Sequence, residues 1–371
     1  MSGLSIVKLV AGGEGLGFLD GKAVFVPGVL PGERVEVRIT ERHRDFDRAG
    51  LQKVLEPSPH RVSPACGYAG VCGGCDWLHI SYEEQLRQKA SIVREALHRT
   101  GRIDREGIEC EPSPAFGSRN RAQVHRGAST GLGYMAVGSH RVITVDRCPI
   151  VTPSIDRLFR GTARGPEDLD RFTAFGHGDF LAVEGRDDDR DLCVTISGRE
   201  IIFSVGCFFQ SNLAVLPHLV SWALEGLQGA VAADLYSGVG VFGAFLAENF
   251  SRIICVESSA MSLSYARRNV AGTSHEFYPM SVEAWIAAED TARLDAVVVD
   301  PPRPGLGPEV RAWLRDAAPR RLLYVSCNPV TLARDLGDLA AGGYSLDDLL
   351  LFDFYPQTSH VEAVAKLRGP T

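Results

Sequence analysis

Residues 231–243 read Val-Ala-Ala-Asp-Leu-Tyr-Ser-Gly-Val-Gly-Val-Phe-Gly. An apolar run of strand type leads into Gly238, Gly240 and Gly243, spaced G-x-G-x-x-G, and a helical stretch follows. Glycines at this spacing permit a tight turn and let the backbone approach a ligand closely. The next apolar run, RIICVE, ends on Glu257, 23 residues after Asp234. A carboxylate at that strand end accepts hydrogen bonds from both ribose hydroxyls of an adenosine. Two further runs, LDAVVVD (294–300) and RLLYVS (321–326), alternate with helical segments. From about residue 206 the pattern predicts a doubly wound, Rossmann-like α/β domain with a parallel sheet. The glycine loop alone leaves the cofactor open, because nicotinamide enzymes share it.

Outward from this loop, two strand ends carry reactive groups. Asp300 closes the third run and is followed by Pro301-Pro302-Arg303-Pro304-Gly305. A strand that ends on an acid and a rigid turn puts the acid at the carboxyl edge, where open α/β sheets bind ligands. Asp-Pro-Pro at this place is typical of methyltransferases acting on nucleobases and related planar nitrogen groups; as a bare tripeptide it marks only a turn. Cys327 follows the fourth run, within Ser326-Cys327-Asn328-Pro329. A lone Cys in a sheet is usually a small core hydrophobe. Glu362, in an apolar strand-like stretch near the C-terminus, needs a partner or a function.

These pieces together resemble the RNA 5-methyluridine methyltransferase family. The likeness rests on Phe208-Phe209-Gln210-Ser211-Asn212, the glycine loop, Asp300 to Gly305, Ser326 to Pro329, and Phe354-Tyr355-Pro356-Gln357-Thr358-Ser359-His360-Val361-Glu362, all in family order. The resemblance implies S-adenosyl-L-methionine as donor and a uridine in RNA as acceptor. It makes Cys327 the nucleophile and Glu362 the base, with Asp300 binding the uracil or the amino-acid end of the donor. Gln210, Tyr236, Gly238, Gly240 and Glu257 are the implied donor contacts, joined by Ser281 on a weaker alignment. Val241 stands where many relatives carry a polar donor contact, which puts a side-chain contact there in doubt. The chemistry requires such a set. Carbon 5 of uracil becomes nucleophilic only after a thiolate adds to carbon 6, and a base must then remove the carbon-5 proton.

The N-terminal half differs in character. Residues 1–55 alternate short strand-like runs (SIVKLV, AVFVPGVL, ERVEVRIT, AGLQKVLE) with Gly, Pro and Asp turns, which predicts an OB-like β-barrel. Residues 15–33 resemble a TRAM domain, an RNA-binding barrel. Residues 56–205 are expected to form a central α+β part and residues 206–371 the methyltransferase domain. Within the centre, 81–100 predicts an amphipathic helix with a Ser81/Glu84 capping box and a stripe of Leu86, Ile92, Val93 and Leu97. The acidic stretch 185–191 predicts a flexible solvated loop. Phe116 to Arg121 resembles the family's arginine-bearing RNA-contact strand.

Cys66, Cys72 and Cys75 follow C-x5-C-x2-C. This spacing lets three thiolates converge on one metal centre, and zinc, iron–sulfur and unligated thiols all remain open by spacing. The fourth ligand is sought among Cys110, Cys148, Cys193, Cys207 and Cys255, with Cys148 favoured by its following proline. The ribosomal branch of the family implies a 4Fe-4S cluster here.

At 371 residues the chain is long enough for two or three domains. A net charge of −7 argues against a generic nucleic-acid binder. No apolar run reaches the roughly 18 residues of a membrane span. No secretory signal is read at the N-terminus, so a cytoplasmic, reducing location is expected, with the protein a monomer. Large-subunit rRNA is the expected RNA partner, with the tRNA T-loop as the alternative. An RNA-binding assembly protein with a decayed site and an iron–sulfur oxidoreductase are the competing classes. The intact Cys327, Asp300 and Glu362 argue against the first. The Ser-Cys-Asn-Pro element and the lack of a second cofactor motif argue against the other.

Overall fold

The computed structural model describes residues 3–127, 131–272, 274–288 and 294–370. At its N-terminus β1 (Leu4–Leu9), β2 (Gly15–Leu19), β3 (Lys22–Val26), β4 (Arg34–Arg42) and β5 (Phe46–Glu56) close a barrel in the order β1-β2-β3-β5-β4. Alternation along the strands turns Leu4, Ile6, Val24, Val26, Val35 and Ala49 inward. Strand β2 was not among the strand-like runs because its glycines mask the pattern. Gly17 is needed there, since a Cβ would lie 2.5 Å from the Ser5 carbonyl oxygen on the paired strand.

An irregular, cysteine-bearing segment leads to helix α1 (Tyr82–Ala96), a π-type turn at Leu97–Gly101 and the short strand β6 (Glu109–Glu111). Strands β7 (Arg121–Arg126), β8 (Leu132–Met135), β9 (Val142–Thr144), β10 (Arg171–His177) and β11 (Phe180–Val183) form an antiparallel sheet, order β11-β10-β7-β8-β9. Helix α2 (Pro153–Phe159) packs on it through Ile155, Leu158 and Phe159. A hairpin, β12 (Leu192–Ile196) and β13 (Arg199–Phe203), follows.

The C-terminal half contains α3 (Leu216–Leu224), β14 (Gly229–Leu235), α4 (Val241–Leu246), β15 (Phe250–Val256), α5 (Ala260–Asn269), β16 (Glu276–Tyr278), α6 (Val282–Ala288), β17 (Ala296–Val299), α7 (Pro308–Ala317), β18 (Arg321–Ser326), α8 (Pro329–Ala341), β19 (Ser345–Phe352) and β20 (Glu362–Arg368). Its sheet runs β16-β15-β14-β17-β18-β20-β19-β6. The first five strands are parallel, four of them (β14, β15, β17 and β18) being the apolar runs that the sequence predicts and β16 an addition to them, and helices cover both faces. The sheet is nevertheless mixed. Strand β20 inserts antiparallel between β18 and β19, and β6 closes the far edge parallel to β19.

Packing crosses the expected division at residues 205 and 206. The β12–β13 hairpin buries Leu192, Val194, Ile201 and Phe203 in the same core as α3, α4 and α5. Helix α1 and its π-turn lie against α8, with Val93 and Leu97 in the core on the other face of the sheet. Gly101 permits that approach, because a Cβ there would meet the Ala333 carbonyl oxygen at 2.6 Å.

The expected capping box of α1 does not form. Ser81 occupies the N-cap position without a side-chain cap. Glu84 instead accepts from Arg87 Nε at 2.7 Å and Gln88 Nε2 at 2.6 Å, so one cationic and one amide partner within about one helical turn hold its carboxylate. The stripe also differs. Ile92, Val93 and Leu97 are buried, but Leu86 is half-buried, and Gln85 and Lys89 take interior places. The 185–191 stretch is a set of pinned turns. Asp187 accepts from the Val183 N–H, Asp188 from the Gly185 N–H, and Asp191 pairs with Arg268 on α5. Among the described residues no helix is long and apolar enough to cross a membrane.

Glu33 fastens the barrel to the segment that follows it. Its buried carboxylate accepts from Arg61 Nε at 2.5 Å and Nη2 at 2.7 Å, and from the N–H groups of Leu30 at 2.8 Å and Ser58 at 3.2 Å. Burial alone would raise its pKa, but Arg61 and the two N–H groups outweigh burial and hold it below the ordinary 4.5. A carboxyl lowered by folding stabilises the protein above its unfolded pKa, and that stability is lost as pH falls through the folded value. The urea midpoint should therefore fall as pH drops below about 4.5, and Glu33→Gln should flatten that fall; an unchanged acid limb in the variant would remove Glu33 from it.

Candidate active site

The glycine loop is shaped by carboxylates at its two neighbouring strand ends. Beyond β14, Tyr236 takes a left-handed conformation (φ +62°), and its hydroxyl donates to Glu283 at 3.4 Å. The Gly238 N–H donates to Glu257 Oε2 at 3.0 Å, and the Ser259 N–H donates to Oε1 at 2.7 Å. Asp234 Oδ2 accepts from the Gly243 N–H at 2.7 Å, which ties the strand end to the start of α4. Asn269 on α5 donates to the Val239 carbonyl at 2.8 Å.

Strand pairing brings the thiol and the acid together. In the β18–β20 register Ser326 lies opposite Ala363, so the next step places Cys327 opposite Glu362 at the sheet edge. Both line a cavity of about 780 Å³ with Gln210, Tyr236, Gly238, Glu257, Ser281 and Asp300. The Gln210 side-chain amide donates to Asp300 Oδ2 at 3.4 Å. Arg303 and Tyr355 complete the wall nearest the thiol. A cavity of this size, with a carboxylate at the second strand end, fits a nucleoside bearing an amino-acid chain.

The site is rich in acid. Burial pushes Asp300 up to about 7. Burial, then the nearby Asp300, raises Glu362 well above the usual carboxylate range. Asp234 is also pushed up to about 7 by burial, opposed by its bond from Gly243. The Cys327 thiol rises to about 11 through burial and the charges of Glu362 and Asp300, with Arg303 acting the other way. A thiol at that value keeps its proton at neutral pH.

One expected donor contact does not line the cavity. Gly240 lies off the cavity, packed so closely on α5 that a Cβ would meet Ala266 Cβ at 2.9 Å. Val241 is buried in the core beside it. Ser281 borders the cavity, and its hydroxyl accepts from the Ala284 N–H at the start of α6. Sequence reasoning gave no role to Asp234, Arg303, Tyr355 or His360. Three of these stand inside the quoted motifs, and Asp234 starts the glycine loop.

Cys66, Cys72, Cys75 and Cys148 line one small cavity with Tyr134 and Arg119. Of the five candidates for fourth ligand, only Cys148 joins the three. Cys207 and Cys255 are buried in the C-terminal core, Cys193 is exposed on β12, and Cys110 lies on β6. Among the described residues no group of three or more His, Cys, Asp or Glu side chains is arranged to hold a metal ion.

A larger cleft of about 870 Å³ separates the barrel, the cysteine segment and the antiparallel sheet. Arg61, His79, Arg119, His125 and His360 border it, and His360 Nδ1 lies 3.4 Å from Arg303 Nη2. The cleft and the active-site cavity are thus neighbours across one Arg–His contact. Arg121 sits over the exposed Phe208 ring at 5.5 Å, on the wall of the active-site cavity.

A glycine loop with its ribose-facing acid, joined to a thiol–acid pair over one cavity, defines a methyltransferase that uses S-adenosylmethionine. Residues 186–293 and 286–368 match the family described as tRNA (Uracil-5-)-methyltransferase, and residues 5–50 match the TRAM domain. An uncharacterized RNA methyltransferase of Treponema denticola is 31% identical over 97% of this chain and 97% of its own. The 23S rRNA (uracil(1939)-C(5))-methyltransferase RlmD of Pseudomonas fluorescens is 31% identical over 98% of this chain and 94% of its own. The crystal structure of Pyrococcus abyssi tRNA (uracil-54, C5)-methyltransferase in complex with S-adenosyl-L-homocysteine superposes with a TM-score of 0.76 at 26% identity, covering 99% of this chain and 100% of that one. The chain belongs to the TRAM-bearing RNA uracil-5 methyltransferase family, whose members depend on S-adenosylmethionine.

A thiol at about 11 gives a direct measurement. In the free protein, alkylation of Cys327 by iodoacetamide, read by peptide mass, should accelerate about tenfold per pH unit from pH 7 to 9. A plateau in that window would mean that Arg303 outweighs burial.

Proposed function

We propose that this protein methylates carbon 5 of a uridine in 23S rRNA, with Cys327 as nucleophile and Glu362 as base. The observation that carries the reading is that Cys327 and Glu362, which adjoin the last β18–β20 pair Ser326–Ala363, line one cavity with Glu257 and Asp300. Cys327 loses its proton and forms a bond to carbon 6 of the uracil, and the displaced electron pair makes carbon 5 nucleophilic. S-adenosylmethionine, when bound, supplies the electrophilic methyl group. Glu362, as carboxylate, takes the carbon-5 proton; the double bond re-forms, the sulfur–carbon bond breaks, and one proton per turnover passes to water. In this reading Asp300 holds the uracil or the amino-acid end of the donor, and Gln210 and Glu257 contact the donor, Glu257 at its ribose. The target must leave its RNA stack to enter the cavity. The cleft beside Arg303 and His360, with Arg119 on its wall, is the path proposed for the flanking RNA.

The RlmD relative supports 23S rRNA, and the Pyrococcus neighbour supports the T-loop of tRNA as the second reading. Mapping 5-methyluridine by mass spectrometry in both RNAs from cells lacking the gene separates them. Loss in 23S rRNA is expected; loss confined to tRNA would select the second.

We also propose that Cys66, Cys72, Cys75 and Cys148 hold a 4Fe-4S cluster. The four thiols line one small cavity, and four thiolates are the ligand set of such a cluster. When bound, the cluster cross-links the cysteine segment to the antiparallel sheet. Anaerobically purified protein should contain iron and acid-labile sulfide; stoichiometric zinc without iron would overturn the assignment.

Cys327→Ala should retain donor binding and transfer no methyl group, and turnover by that variant would end the nucleophile assignment. Glu362→Gln should accumulate a protein–RNA adduct that survives denaturation. Normal product release by Glu362→Gln would remove Glu362 from the role of base.

A further inference from the structure

The loop between β19 and β20, residues 353–361, is held from outside by a segment almost three hundred residues earlier in the chain. Lys89 Nζ donates to Asp353 Oδ1 at 2.6 Å and to the Tyr355 carbonyl at 2.9 Å. The Trp77 N–H donates to the Gln357 carbonyl at 3.0 Å. The Ser359 N–H donates to Asp76 Oδ1 at 2.9 Å. At the centre stands a reciprocal amide pair. Gln85 Oε1 accepts from the Gln357 N–H at 2.8 Å, and Gln85 Nε2 donates to Gln357 Oε1 at 3.0 Å. Gln85 Nε2 also faces the carbonyls of Ile80 at 2.9 Å and Trp77 at 3.2 Å.

Gln357 has a φ of +66°, a left-handed conformation that side chains other than glycine adopt at a cost. Both glutamines are buried, so every bond between them is made away from water. The kinked residue lies between Tyr355 and Glu362, which line the active-site cavity, and three residues before His360 at the cleft. A kink fixed at Gln357 thus sets where β20 begins and where its first side chain sits.

We propose that Gln85 is a positioning residue for methyl transfer: its amide pair with Gln357 holds the turn that sets Glu362 opposite Cys327. This rests on Glu362 as the base of the reaction. Cys327 and the donor loop lie on β18 and β14–α4 and make no bond to Gln85, so the role is specific to the proton-removal step.

Gln85→Met keeps the side-chain length and removes both amide functions. With unmodified RNA and donor, its kcat should fall about a hundredfold, the scale of a misplaced reacting group. The donor KM and the Cys327 alkylation rate should match those of the unaltered protein. A denaturation-resistant protein–RNA adduct should accumulate. Gln357→Gly keeps the left-handed backbone and the bond to Gln85 Oε1; it should accumulate adduct with a smaller loss of kcat, and it decides the matter if Gln85→Met does not fold. Unchanged kcat in the folded variant overturns the proposal. So does a loss without adduct, or one matched by equal changes in donor KM and thiol reactivity, which marks general loosening. Glu362→Gln run in parallel separates the two layers. No adduct there removes the base assignment and this role with it, whereas adduct there and none in Gln85→Met removes the positioning role alone.

Discussion

The site depends on the register of two antiparallel strands. Ser326 opposite Ala363 puts a thiol and a carboxyl side by side at one edge of the sheet. A slip of one residue would turn Glu362 to the opposite face and leave an acid in an apolar core. The register is fixed on one side by parallel strands buried on both faces. On the other side β19 pairs with β20 from Ser345–Arg368 to Phe352–Glu362, with one irregularity at Leu346/Asp348. The parallel α/β frame thus supplies the glycine loop, and a single antiparallel strand brings Glu362 into the cavity.

Acid concentration at the sheet edge is the electrostatic counterpart of that geometry. Asp300 and Glu362 in the cavity, and Asp234 buried behind the glycine loop, are all raised by burial, and like charges this close cannot all ionise cheaply. The resting site is therefore poised toward protonated groups, and Arg303 is the cation that faces the thiol. A cationic donor entering such a cavity meets carboxyl groups that its charge helps to ionise. The same groups that hold the thiol protonated in the free protein favour the ligand that reaction requires.

Much of this was legible in the sequence, for specific reasons. The parallel strands announce themselves as continuous apolar runs, and Gly238, Glu257, Asp300 and Cys327 stand at their ends. Strand β2 was hidden by its glycines. Gln85 and Lys89 sit on a helix whose hydrophobic spacing predicts a different buried face, and their partners lie more than 260 positions later. No local pattern carries such a contact. Gly240 fits the dinucleotide spacing, and its lack of a side chain also lets α5 pack against the loop, which the motif does not announce. The Ser81/Glu84 spacing is that of a capping box, but Arg87 and Gln88 compete for the same carboxylate and take it.

Strand β6 has a consequence for the order in which the chain can fold. Its three residues find their partner only in β19, more than two hundred positions further on. Helix α1 likewise packs on α8, and Lys89 reaches its counter-charge at Asp353. During synthesis the barrel can close once residue 56 has emerged, whereas residues 82–111 must wait for partners as far along as Asp353. Their apolar face and the buried ammonium of Lys89 stay unsatisfied until then. Long-range closure of this kind slows folding and leaves strand edges open to wrong partners. Strands β19 and β20 thus both seal the sheet and bring Glu362 to the cavity that Cys327 lines, so the core and the cavity wall are completed together.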